Sequence, residues 1–87
     1  MIDIIFSVVI IVLMPSGYYE DFTVHLVDGS PKPICDYDIA CAFLGSGDIY
    51  LDINKLKERD HCGRNPLQHE LAHFKYPNTD IHSVCKR

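Results

Sequence analysis

Residues 65–77 carry the tightest constraint in this chain, a short helix with a hard stop at each end and two chemically opposed sides. Asn65 is a good N-cap, and Pro66 suits the first helical position, where its missing N–H costs nothing. Pro77 ends the helix because the residue before a proline avoids helical geometry. Asn78 tolerates the left-handed conformation that would redirect the chain. The predicted helix therefore runs over 66–75. Leu67, Leu71 and Phe74, spaced i, i+4, i+7, form an apolar stripe. At about 100° per residue, His69 and His73 fall roughly opposite that stripe. Such a helix needs an apolar layer beneath it and leaves its polar side free.

With 87 residues there is room for one small domain. The layer beneath the helix must come from what precedes it. Residues 22–27 (FTVHLV) alternate and are β-branched, so they read as a strand. Residues 28–33 (DGSPKP) read as a turn or loop. Segment 34–44 is ambiguous: Ile39, Ala42 and Phe43 have helical spacing, but an extended form fits too. The glycines at 45 and 47 break it. Residues 48–53 (DIYLDI) alternate, with Ile49, Leu51 and Ile53 on one side and Asp48, Tyr50 and Asp52 on the other, facing solvent. Residues 54–64 read as a loop with one helical turn at most. The expected fold class is α+β, a short antiparallel or mixed sheet packed on one helix.

The start of the chain is almost unbroken apolar sequence from Ile4 to Met14. It is short of the about 20 residues that span a bilayer. It suits the apolar region of an export signal, with Pro15, Ser16 and Gly17 allowing cleavage nearby. The absence of Lys or Arg before the run, and the presence of Asp3, depart from that pattern. A buried β-strand is the alternative, since Ile and Val dominate. The favoured division is a signal-like or anchoring segment at 1–17 and a working domain at 18–87. Cys35, Cys41, Cys62 and Cys85 agree with an oxidising compartment, making the chain secreted, periplasmic or membrane-anchored. Four cysteines allow three pairings, and free thiols or a structural zinc are further uses. The working pairing is Cys35 with Cys41 and Cys62 with Cys85, the second closing a loop around the helix.

A hydrophobic share of 47% excludes a disordered chain. A net charge of -4 with scattered basic residues argues against nucleic acid as a partner. Attachment through residues 4–14 would be apolar, because no polybasic run flanks them.

Residues 69–73 read His-Glu-Leu-Ala-His. Imidazoles four apart on a helix share a side and can hold one metal ion. Glu70, about 100° around the axis from His69, stays beside that ion without binding it. Catalytic zinc generally has three protein ligands. His82, past the 77–78 turn, is the expected third, with Asp80 the alternative or a supporting partner. Tyr76 projects from nearly the same side and could face a developing oxyanion, though packing at the helix end is its commoner use. His61 is a reserve ligand, and His25 reads as a strand residue.

The HELAH segment followed by a histidine after a short turn resembles the zincin metallopeptidases, in a minimal form like those of phage and prokaryotes. The likeness spans about 47–82 and includes the order of strand then helix. It implies zinc on His69, His73 and His82, Glu70 as general base, and hydrolysis of a peptide or protein substrate by activated water. It also implies that strand 47–53 is the cleft edge along which an extended substrate pairs. The chain departs from the metzincin pattern in having no glycine between His73 and the third histidine and no methionine after it. The second reading is non-catalytic: a zinc-stapled interaction protein, secreted or membrane-attached, in which the ion only holds the fold.

Overall fold

A computed structural model describes residues 4–35 and 39–85. Strands β1 (Ile4–Leu13), β2 (Tyr19–Val27), β3 (Ala40–Phe43) and β4 (Asp48–Asp52) form one mixed sheet in the order β1-β2-β4-β3. A short helix, α1 (Lys32–Cys35), follows β2; a 3-10 turn (Ile53–Lys55) follows β4; helix α2 (Pro66–Lys75) completes the regular structure. The α+β reading therefore holds, with the sheet of the mixed kind.

β1 and β2 make an antiparallel hairpin. Its turn is closed by Met14 N–H on the Tyr18 carbonyl at 2.8 Å and needs Gly17 at a φ of 93°, a conformation that costs other residues a steric clash. Pairing with β1 starts β2 at Tyr19, three residues before the apolar alternation begins: Leu13, Val12 and Ile11 partner Tyr19, Glu20 and Asp21. β2 then runs parallel to β4, and β3 returns antiparallel beside β4. Segment 34–44 resolves into the end of α1 and the extended β3; its residues 36–38 lie outside those described.

The core lies between sheet and α2. Met14, Phe22, Val24, Ile49 and Leu51 are buried, and Leu67, Leu71 and Phe74 of the helix pack against them. The Phe22 and Phe74 rings meet with centroids 4.5 Å apart, tilted by 56°. The stripe read from sequence is thus the side that seats the helix. Ile53 leaves the inward row because the chain turns into the 3-10 helix there. Asp52 causes that turn. It is buried, not solvent-facing as expected, and its Oδ1 accepts from the backbone N–H groups of Gly29 (3.2 Å) and Asn54 (2.9 Å). These bonds replace the water it gives up.

The apolar run at the start is β1, at one edge of the sheet. Only Ile10 and Val12 pack on the core; Ile4, Ile5, Phe6, Val9, Ile11 and Leu13 are exposed. The reading of this run as a buried strand is not what is found, because α2 lies mainly along β3 and β4, at the other side of the sheet from β1. No helix among the described residues is long and apolar enough to cross a membrane.

All four cysteines are paired, Cys35 with Cys41 and Cys62 with Cys85. The first ties α1 to edge strand β3. The second ties loop 60–64 to the segment after α2.

Candidate metal centre

The α2 N-terminus sets the position of the first two imidazoles. The Asn65 side chain accepts from Gln68 N–H at 2.8 Å, and the Gln68 side chain accepts from Asn65 N–H at 3.0 Å, a reciprocal capping box. With the helix start held, His69 and His73 present their rings to one cavity. His82 arrives from the segment beyond Pro77. The three rings form a nearly regular triangle, with centroids 5.2, 4.8 and 5.1 Å apart. Mutual tilts of 53–76° keep the ring faces from stacking. One nitrogen from each ring lies within 4.8 Å of the other two, so the group could hold a metal ion. The donor set, three imidazoles with no thiolate, suits zinc with one position left open.

The rings are prepared for that task. Asp60 Oδ2 lies 2.7 Å from His69 Nδ1. Burial raises the Asp60 carboxyl pKa, but hydrogen bonds from His69, Arg64 and Cys62 outweigh it and hold the group well below the usual carboxylate range. An ionised Asp60 accepts the Nδ1 proton of His69 and leaves Nε2 as the free donor. At His73, burial first, then the nearby charges of His69, His82 and Arg64, push the pKa down against a weaker opposing pull from Asp80. That favours the neutral imidazole, the form that binds metal.

Asp80 does not join the triangle. Its Oδ1 accepts from His82 N–H at 3.1 Å and its Oδ2 from the Ser83 hydroxyl at 2.9 Å, so it shapes the turn that carries His82. His61 stands apart, its Nε2 3.4 Å from Cys62 Sγ. His25 lies in β2 between the Ser7 hydroxyl (2.8 Å) and Asp48 (3.0 Å), with Tyr50 stacked on it. Tyr76 caps the C-terminal end of α2 through its N–H on the Ala72 carbonyl at 2.9 Å and is not among the residues lining the cavity.

The three histidines open onto a cavity of about 500 Å³. Glu70 lines the same cavity and is only 7% exposed; burial raises its carboxyl pKa to about 7. A cation held by the imidazoles would draw that value back down. The opposite wall comes from Ile39, Ala40, Cys41, Ala42 and Leu44. This corrects the expectation for the cleft edge. β4, the strand at 48–52, lies inside the sheet between β2 and β3. The edge beside the cavity is β3, because the 44–47 turn folds it back along β4 on the outer side.

Asp60 and Arg64 are the members of this centre that the sequence did not disclose. Asp60 sits in a polar loop nine residues before His69, and nothing in that loop separates it from Asp48 or Asp52.

No protein-family model, curated protein or solved structure matches this chain.

Proposed function

We propose that the chain is a zinc-dependent metallopeptidase of minimal zincin-like form, with His69, His73 and His82 as metal ligands and Glu70 as general base. The observation that carries the reading is the convergence of three imidazoles and a buried carboxyl on one cavity beside β3, an edge strand of the sheet among the described residues. Zinc held there would supply Lewis acidity toward water and the substrate carbonyl. Glu70 removes a proton from the attacking water and delivers it to the departing amine nitrogen. Glu70 is buried on the wall of the same cavity as the three imidazoles, where a bound cation would favour the carboxylate that takes the proton. The β3 edge offers backbone N–H and C=O groups to an extended peptide, whose side chains meet Ile39, Ala42 and Leu44. The two disulfides support a place of action in an oxidising compartment, outside the cytosol.

Zinc content by mass spectrometry and cleavage of a mixed peptide library test this reading together. One zinc per chain is expected, bound much more weakly by His82→Ala and with unchanged affinity by Asp80→Ala. Glu70→Gln should keep its zinc and cleave nothing. Equal cleavage by wild type and Glu70→Gln rejects the general base. Full zinc without turnover in the wild type leaves the staple reading, in which the ion only holds the fold.

A further inference from the structure

His82 is the corner of the triangle that no regular element supplies. It is exposed and follows a run of turn residues after α2. Two ties hold its neighbours. Cys85, three residues on, is bonded to Cys62. Ile81, just before it, is 1% exposed, and its carbonyl accepts a hydrogen bond from Arg64 Nη2 at 2.6 Å. Both ties lead back to loop 60–64.

Arg64 is fully buried. Its other end, Nε, donates to Asp60 Oδ2 at 2.7 Å, the same oxygen that faces His69 Nδ1. Asp60 Oδ1 accepts from the backbone N–H groups of Cys62 (2.8 Å) and Arg64 (2.9 Å), so the carboxylate cannot swing away. One planar guanidinium thus spans from the carboxylate that orients the first histidine to the carbonyl next to the third. A guanidinium is rigid, and its donors stand at fixed separation. A buried cation is costly unless paired, and an apolar residue would fill this space at less expense in desolvation.

We infer that Arg64 is a positioning residue, a rigid spacer that sets His82 opposite His69 and so completes the third corner of the metal centre without touching the ion. This rests on the three-histidine reading above. It adds that the affinity of the centre depends on a side chain outside the ligand set. Lysine cannot replace it: one ammonium keeps the charge but loses the planar fork that meets both acceptors.

The test is a double-mutant cycle on zinc affinity, with cobalt as a spectroscopic probe, using wild type, Arg64→Lys, His82→Ala and the double variant. Arg64→Lys should weaken zinc binding about 10- to 100-fold. Its cobalt absorption should move toward that of His82→Ala. In the His82→Ala background the same lysine should cost only a small fraction of that loss, because the corner it positions is already gone. Equal losses in both backgrounds, or no loss in either, overturn the inference while the metal reading stands. A wild-type chain that takes up no metal removes the metal reading, and this inference with it. If Arg64→Lys fails to fold, the wild type still decides. Its Arg64 Nε–H resonance should shift and sharpen as zinc is added, and a resonance that ignores zinc refutes the spacer.

Discussion

The Asp60 carboxylate lies 2.7 Å from His69 Nδ1, on the ring nitrogen that faces away from His73 and His82 if the other is to reach the shared point. That contact decides which nitrogen of His69 carries its proton. Asp60→Asn keeps the size of the group but removes its charge and one acceptor. Zinc affinity measured by chelator competition should fall about 10- to 100-fold, with the helix content by circular dichroism unchanged. Unchanged affinity would mean that the contact does not orient the ring.

The two disulfides should differ in what they support. Cys62 and Cys85 are 23 residues apart and Cys35 and Cys41 are 6 apart. By loop length alone, losing the first should cost about 3 kcal/mol and losing the second about 2 kcal/mol. The larger difference should appear in metal binding. Cys62→Ser with Cys85→Ser frees the segment that carries His82, so zinc affinity should drop sharply. Cys35→Ser with Cys41→Ser touches β3 and should leave affinity near that of wild type. Isothermal titration of both pairs against zinc checks this, and the reverse order would contradict it.

Packing between α2 and the sheet holds the centre's platform. Ile49 is fully buried beneath it. Ile49→Val removes one methylene and should cost about 1 kcal/mol, lowering the thermal midpoint by roughly 4–8 °C in a domain of this size. Zinc stoichiometry should not change, because Ile49 does not line the cavity. Differential scanning calorimetry with metal analysis on the same sample tests both halves.

On the sheet, hydrogen bonds from His25 first, then Ser46, lower the Asp48 pKa against a weaker opposing effect of burial. A carboxyl depressed in the folded state contributes stability above its unfolded pKa of about 3.9, lost as pH falls through the lower folded value. Asp48→Asn should therefore reduce stability at neutral pH and flatten the acid limb of a urea-midpoint profile below about pH 4. Profiles of identical slope in the two proteins would show that the contact carries no stability.

Much of α2 was legible because its signals are local. Asn65, Pro66 and Pro77 act within one turn of themselves, and the helix runs over Pro66–Lys75 as their positions predict. The Leu67, Leu71, Phe74 stripe needs only helical periodicity to be seen. β1 shows the opposite case. Its Ile and Val content fits both a signal and a strand, and burial depended on whether another layer reached it. The cleft edge was misplaced for a related reason. The zincin likeness put the cleft edge at 47–53, the strand before the helix, but strand order in a sheet depends on which way a hairpin folds, and β3 went outside.

Sequence by itself determined the helix, its apolar side, and the two imidazoles and carboxyl that share its other side, since a rise and a turn per residue suffice to place them. Tertiary structure alone decided what stands around them. Asp60 beneath His69, Arg64 between Asp60 and Ile81, and His82 at the third corner come from segments that local periodicity does not relate. They meet because the Cys62–Cys85 bond and the burial of Ile81 bring a loop and a C-terminal segment together, and such distant contacts follow from the packing of the whole chain.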